Sequence, residues 1–174
     1  TYGIVRNDED TVVLLDDSIV RGTTLKESII NILSKLFPKK IIIVSSAPQI
    51  RYPDCYGIDM SVMKSFVAFQ AMIELCEEMG KEDFIEEIYE RCKAQEDLPK
   101  EEMVNHVKEL YAMFTDKQIS DRIAAIVRPA NLKYELEVLF QTIEGLHLAC
   151  PENLGDWYFS GDYPTPGGTK VVNK

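Results

Sequence analysis

The sequence lacks the features that mark a zinc protein, a disulfide-rich secreted domain or a membrane protein. Its cysteines form no Cys-x-x-Cys pair; they are Cys55, Cys76, Cys92 and Cys150. A zinc or redox motif is therefore not indicated. No apolar run approaches membrane-spanning length, and the first residues show no basic-plus-apolar signal pattern. We therefore expect a cytoplasmic protein with no membrane partner.

The sequence also lacks an excess of basic residues. Asp and Glu outnumber Lys and Arg, and the net charge is −10. Binding to nucleic acid or to anionic membranes depends on basic patches, so we expect no nucleic-acid partner. The acidity is uneven, since residues 1–60 are nearly neutral and residues 61–174 carry almost all of the excess. The first third of the sequence therefore suits an anionic ligand better than the remainder does.

The first third of the sequence shows an α/β pattern of strand, helix and strand. The continuous apolar run at 11–15 predicts a buried parallel strand, and residues 40–45 predict a second. Between them, helical spacing over 24–36 predicts a helix that Pro38 ends. Strand, helix and strand make a right-handed parallel crossover. A short strand is also predicted at 2–5, and because the sequence starts inside it without a Met, we expect a longer parent chain.

From Ser65 onward the apolar residues recur at helical spacing. Five helical stretches are predicted, and their core-facing stripes begin at Phe66, Phe84, Met103, Ile119 and Leu132, the last stripe running to Leu146. Thr115 and Gln118 look like a capping box for the fourth stretch. The segment from Pro151 is rich in Gly, Pro and aromatic residues and predicts an irregular tail. The sequence is thus divided into residues 1–64, a helical extension at 65–150 and a tail at 151–174.

The segment from Val12 to Thr24 carries the candidate chemistry. A buried strand delivers Asp16 and Asp17 to its carboxyl end, where open α/β sheets bind ligands. A loop of small and hydroxyl residues follows, and the free N–H groups at the next helix start favour a phosphate. The carboxylates suit a ribose diol or Mg²⁺. The alternative is an ordinary strand–turn–helix connection in which Asp17 or Ser18 caps the helix.

Three blocks of sequence resemble the glutamine phosphoribosylpyrophosphate (PRPP) amidotransferase family, the amidophosphoribosyltransferases. They are Asp-Asp-Ser-Ile-Val-Arg-Gly-Thr-Thr at 16–24, Ser-Ser-Ala-Pro-Gln-Ile-Arg-Tyr-Pro at 45–53 and Tyr-Gly-Ile-Asp-Met at 56–60. The blocks follow the family's order and spacing over about the first third of the chain. The resemblance implies an α/β fold, a partial type I phosphoribosyltransferase with a Rossmann-like parallel sheet, followed by a helix-rich C-terminal region.

The resemblance also implies a reaction and a set of site residues. In this family, ammonia released from glutamine displaces pyrophosphate from C1 of PRPP and gives 5-phosphoribosylamine, the first step of purine synthesis. By position, the PRPP-binding residues are Asp16, Asp17, Ser18, Ile19, Val20, Arg21, Gly22, Thr23 and Thr24. Asp16 and Asp17 are also the Mg²⁺ residues. Phe66 matches a position that lines the ammonia channel, but it also fits a plain core stripe, which is the interpretation we favour.

Other family features are missing from the sequence. The glutaminase domain, the early transferase strands, the pyrophosphate loop and the closing loop are absent, so we expect no catalytic residue and no activity from this chain alone. The full enzyme is expected to be a homo-oligomer. The iron–sulfur ligand positions of some members fall on Asp54, Gly155 and Tyr158, so no cluster is predicted. Two alternatives stay open: a PRPP-sensing regulator and a salvage phosphoribosyltransferase.

Overall fold

The computed structural model describes residues 3–54, 60–153 and 155–173. Its centre is a parallel sheet of three strands, β1 (Thr11–Asp16), β2 (Lys40–Ser45) and β3 (Glu135–Phe140), in the order β1-β2-β3. Asp16 pairs with Ser45, and Ser45 pairs with Phe140. The carboxyl ends of all three strands therefore lie level along one edge of the sheet.

The crossover between β1 and β2 is the helix that the sequence predicts. This helix, α1, starts with a π-helical turn at Leu25–Ile29 and continues as α-helix over Ile30–Ser34. The buried side chains of Leu25 and Ile30 hold it against the sheet core. The predicted α/β fold with parallel strands is thus confirmed.

The remaining helices follow in chain order and differ in length. They are α2 (Val67–Glu78), α3 (Glu82–Lys93), α4 (Val107–Tyr111), α5 (Asp116–Val127), α6 (Ile143–Ala149), α7 (Trp157–Ser160) and α8 (Pro166–Val172), with 3-10 turns at Met63–Ser65 and Lys100–Glu102. The predicted capping box at the start of α5 is present, since Thr115 and Gln118 each bond to the other's backbone. No helix in the described part of the chain is long and apolar enough to span a bilayer.

The hydrophobic core lies between one face of the sheet and helices α2 and α5. Ile41 and Ile43 of β2 are fully buried there, as is Ile123 of α5. Burial of such side chains is worth about 1.5–3 kcal/mol each, which makes this layer the main source of stability. The helices that pack on the sheet are therefore fixed relative to the strand ends.

The opposite face of the sheet is largely open among the described residues. Val13 is 60% exposed, Leu15 is 72% exposed and Leu139 is 43% exposed. The strand register places Leu15, Val44 and Leu139 in one row across this face. Parallel sheets are usually covered on both faces, so this open row marks an apolar surface of the chain.

Two of the predicted elements are wrong. Residues 132–146, predicted as a helix, contain strand β3. The leucines there fit helical spacing, but the run Glu135–Phe140 also alternates between the two faces of a strand, and pairing with β2 decides the outcome. The predicted strand at 2–5 is also wrong, because its described residues form a turn in which Gly3 has φ +84°.

Two further differences concern the third helical stretch and the tail. The stretch from Pro99 to Phe114 holds a 3-10 turn and only the short α4, and the tail predicted to be irregular contains α7 and α8. In α8, Pro166 occupies the first helical turn, where it needs no N–H partner. The division of the chain at residue 64 stays a prediction, although β3 from beyond that boundary pairs with β2.

Candidate functional site

The two carboxylates after β1 are turned back onto their own backbone. The N–H of Asp17 donates to Oδ1 of Asp16 at 3.0 Å, and the N–H of Ser18 donates to Oδ1 of Asp17 at 2.8 Å. Such bonds are typical of Asp residues in turns. The second oxygen of each carboxylate has no hydrogen-bond partner among the described residues. Each aspartate is therefore oriented by one oxygen and can offer the other to a ligand.

The loop after β2 braces the acidic pair from the side. The N–H of Ser46 donates to the carbonyl of Asp16 at 2.9 Å, and the N–H of Ala47 donates to that of Asp17 at 3.1 Å. The Ser46 hydroxyl adds a bond to the Asp17 carbonyl at 3.1 Å. These bonds continue the parallel pairing past the strand ends. Sequence reasoning missed this role of Ser46, although its place after the neighbouring strand was a usable signal.

Helices α2 and α5 support the loop from behind. The N–H of Val67, the first residue of α2, donates to the carbonyl of Val20 at 2.8 Å. Gly22 has φ +70°, and a Cβ built on it would lie 2.7 Å from Cγ1 of Val127, the last residue of α5. The loop therefore runs against both helices with no room for a side chain at Gly22. The sequence contained no local signal for these contacts.

We expect the substitution Val67→Pro to loosen this loop without disturbing α2. Proline suits the first helical position, and Phe66 before it is already extended, with φ −77° and ψ 131°. The bond to Val20 is lost, and one such bond is worth about 0.5–1.5 kcal/mol. Amide hydrogen exchange over residues 18–24 should therefore accelerate by up to about tenfold.

Two variants separate the causes in that experiment. Val67→Ala keeps the N–H group and removes only side-chain packing, so any effect common to both variants comes from packing. Ile143→Pro places proline at the same position of α6, after the extended Thr142, and controls for proline itself. Equal exchange rates in Val67→Pro and Val67→Ala would show that the bond to Val20 does not order the loop.

The predicted PRPP residues surround one cavity of about 730 Å³. Asp16 and every residue from Ser18 to Thr24 line it, together with Leu25, Ile29 and Met60. Asp17 lies in the same loop but does not line the cavity. Leu25, Ile29 and Met60 were not predicted to contribute to the site. The structure therefore brings together all but one of the residues that the sequence singled out.

The start of α1 offers backbone donors to this cavity. The N–H of Lys26 donates to the carbonyl of Gly22 at 3.0 Å, which closes the first helical turn. The N–H groups before it have no carbonyl one turn back and need another acceptor. Thr23 and Thr24 are exposed in this turn and add hydroxyl groups. This end of the cavity suits an anion, because the helix dipole also favours negative charge there.

A metal ion at this site would depend on the two aspartates. No group of three or more His, Cys, Asp or Glu side chains in the described ranges is arranged to hold a metal. Mg²⁺ is often bound through one or two carboxylates together with substrate phosphates and water. A pair of aspartates would therefore fit Mg²⁺ together with a phosphate-bearing ligand.

Phe66 and the block at 56–60 were also singled out from the sequence. The Phe66 side chain is fully buried just before α2, and its assignment to an ammonia channel stays a prediction. Of the block at 56–60, residues 56–59 lie outside the described residues, as does Cys55, and only Met60 is described. The expected absence of an iron–sulfur cluster likewise stays a prediction.

Comparisons with known proteins match part of the chain. No family model matches the chain. It is 42% identical over 78 residues to the amidophosphoribosyltransferase of Haemophilus influenzae, covering 44% of this chain and 15% of that protein. For the Escherichia coli enzyme the identity is 47% over 60 residues, covering 34% of this chain and 12% of that protein. For the Saccharomyces cerevisiae enzyme the identity is 40% over 87 residues, covering 47% of this chain and 17% of that protein.

The chain therefore spans less than a fifth of the length of each of these relatives. The sequence identity over the matched part is nevertheless at least 40% in each case. Matches of this kind are found in both bacterial and yeast proteins, all of which are named amidophosphoribosyltransferase. The resemblance that the motif blocks indicate is thus confirmed: over a short segment the chain is similar to the amidophosphoribosyltransferases.

Proposed function

We propose that the cavity after β1 binds the ribose 5-phosphate part of PRPP, and that the chain supplies this half of an amidophosphoribosyltransferase site. The observation that carries the proposal is that Asp16 and residues 18–24 line one cavity at the carboxyl edge of a parallel sheet. That edge is where ligands bind in open α/β folds. The similarity to amidophosphoribosyltransferases narrows the ligand to PRPP.

The two ends of the cavity would bind different parts of the ligand. The 5′-phosphate would accept hydrogen bonds from backbone N–H groups at the start of α1 and from the hydroxyls of Thr23 and Thr24. The ribose diol would donate to the Asp16 carboxylate, whose free oxygen faces no competing donor among the described residues. Asp17, which lies outside the cavity lining, would act on Mg²⁺ through water.

In the proposed reaction, the bond from C1 of PRPP to pyrophosphate breaks and a bond from C1 to the ammonia nitrogen forms. The nitrogen then loses a proton, and 5-phosphoribosylamine and pyrophosphate result. Catalysis would depend on positioning and on neutralising the leaving pyrophosphate, to which Mg²⁺ contributes charge. This chain would fix the ribose phosphate, while glutamine-derived ammonia and the pyrophosphate contacts would come from the rest of a cytoplasmic, homo-oligomeric enzyme.

Titration of the chain with two ligands tests the proposed division of the site. With Mg²⁺ present, ribose 5-phosphate should bind at one site with Kd on the order of 1 mM, as suits a few exposed polar contacts. Backbone amide resonances of residues 16–24 should shift. Pyrophosphate alone, which has no ribose diol for Asp16, should bind more weakly and shift mainly the amides at the start of α1. Pyrophosphate binding as tight as that of ribose 5-phosphate would contradict the proposal.

An activity measurement tests whether the chain is inactive alone. We expect no pyrophosphate release when the chain is incubated with PRPP, Mg²⁺ and ammonium, because it supplies only the ribose phosphate half of the site. A pyrophosphate-coupled assay sensitive to one turnover per hour would detect residual activity. Ammonia-dependent release of pyrophosphate would show that the catalytic site is more complete than proposed.

A further inference from the structure

A second cavity lies among the helices, and the residues that line it have no part in the PRPP site. Its volume is about 500 Å³, which is within the range of small-molecule sites. Helices α2, α3, α4 and α8 all contribute to its walls, and most of the lining side chains are apolar, among them Phe69, Ile73, Ile88 and Leu110. The cavity would therefore take a ligand with an apolar body.

One buried polar atom in the wall lacks a partner. The Nδ2 group of Asn173 donates to the carbonyl of Val104 at 3.3 Å, which orients the amide. Its Oδ1 atom is buried and has no hydrogen-bond partner in the described part of the chain. A buried acceptor without a donor is costly. Asn173 itself lines the cavity, but because Oδ1 is buried it belongs to the wall and is not a contact for a ligand.

The charged residues at this cavity favour an anion. Two lysines, Lys93 and Lys170, line it with one carboxylate, Glu96, although the chain as a whole carries −10. Neither lysine forms an ion pair within the described ranges. The ammonium group of Lys93 lies 5.6 Å from the centre of the Tyr89 ring at the same cavity. The local charge is thus opposite in sign to that of the chain.

Cys92 does not oppose this charge. Its side chain is buried and lines the cavity. Burial is the main reason that the pKa of its thiol is raised, so the sulfur stays neutral at physiological pH and packs as a small apolar group. The anionic part of a ligand would therefore meet the two lysines and only one negative group, Glu96.

We propose that this cavity binds a small amphiphilic anion, with its apolar or aromatic body between α2 and α3 and its anionic group at Lys93 and Lys170. The site is separate from the PRPP cavity, because the two share no lining residue. The inference does not rest on the proposed phosphoribosyl chemistry. It assigns a ligand to the helical region, which the motif blocks leave without a function.

Anilinonaphthalene sulfonate is a suitable probe, because it combines an aromatic body with one sulfonate. Its fluorescence should rise saturably with one binding site per chain. In the double variant Lys93→Gln/Lys170→Gln the affinity should fall about tenfold, since two charge contacts are lost. The neutral analogue N-phenylnaphthylamine should bind both proteins equally. Ile73→Trp, which fills the cavity, should abolish binding of both probes.

Two controls keep the result decisive. Val13→Thr/Leu15→Thr removes apolar groups from the open sheet face and should leave probe affinity unchanged, whereas a large loss would place the probe on that face and overturn the proposal. Circular dichroism establishes whether Ile73→Trp is folded. If it is not, the lysine variant alone decides, because Lys93 is exposed and Lys170 is half-buried, and such positions can be replaced without unfolding the core. Unchanged sulfonate affinity in the lysine variant would overturn the proposal.

Discussion

Replacing Asp16 and Asp17 by asparagine in one chain is expected to weaken ribose 5-phosphate binding about 100-fold. Both charges are lost from the polar end of the proposed site, and a hydrogen bond to a charged group is worth about 1.5–3 kcal/mol. Two such groups, one acting on the ribose diol and one on Mg²⁺, account for about 3 kcal/mol at the lower end of that range, which corresponds to just over 100-fold in Kd. Since the unchanged chain should bind with Kd on the order of 1 mM, titration of the double variant with ribose 5-phosphate and Mg²⁺ should show almost no shift of the amide resonances of residues 16–24.

Asparagine is the appropriate replacement because it preserves the local backbone. Oδ1 of Asp16 accepts from the N–H of Asp17, and Oδ1 of Asp17 accepts from the N–H of Ser18. The side-chain oxygen of each asparagine can accept the bond that the aspartate oxygen accepted, so the turn keeps its geometry while the charge disappears. A loss of affinity then reports on the charge and on the free carboxylate oxygen, and not on a distorted loop.

The single variants distinguish the proposed roles of the two aspartates. Asp16 lines the cavity and Asp17 does not, so Asp16→Asn should weaken binding with or without Mg²⁺, whereas Asp17→Asn should weaken it only when Mg²⁺ is present. Asp83→Asn, an exposed position in α3, controls for the change in net charge. If the double variant binds as tightly as the unchanged chain, the acidic pair has no part in ligand binding.

The part of the fold that the sequence predicted is the part fixed by local pattern. Strands β1 and β2 are continuous apolar runs, and a strand followed by a helix and another strand has one favoured handedness. The acidic pair then follows from its place at the end of β1. Each step depends on neighbours within a few residues, which is why the loop at 16–24 and the start of α1 could be located before the structure was known.

The contacts that were not predicted join residues far apart in the chain. Glu135–Phe140 fits either a helix or a strand by pattern, and its pairing with β2, almost a hundred residues earlier, makes it a strand. Ser46 reaches the Asp17 carbonyl only because β1 and β2 end level. The periodicity within one segment does not predict which distant segment it pairs with. The position of β3 in the sheet and the hydrogen bonds from Ser46 to the acidic pair could therefore be seen only in the structure.

These long-range contacts also give the helical region a role at the proposed site. Val67 begins α2 and bonds to the loop, while Val127 ends α5 and closes the space behind Gly22. Both helices belong to the same buried core as β2. The position of the loop is therefore coupled to the packing of α2 and α5, and core substitutions there should affect ligand binding as well as stability.

Gly22→Ala tests this coupling and should destabilise the chain by about 2–5 kcal/mol. An alanine in the left-handed region costs about 1–2 kcal/mol, and φ at Gly22 is +70°. The new Cβ would also lie 2.7 Å from Cγ1 of Val127, and overpacking a buried site costs about 1–3 kcal/mol more. Urea unfolding followed by circular dichroism measures the total.

A second glycine separates the two costs. Gly80 has nearly the same backbone conformation, φ +64°, but a Cβ there would meet nothing within 4 Å. Gly80→Ala should therefore show only the conformational cost of about 1–2 kcal/mol. In a double-mutant cycle, Val127→Ala should recover part of the loss in Gly22→Ala, because it removes the clashing methyl. If Gly22→Ala and Gly80→Ala cost the same and no coupling to Val127 is found, α5 does not press on the loop, and the proposed support of the site by the helical region is wrong.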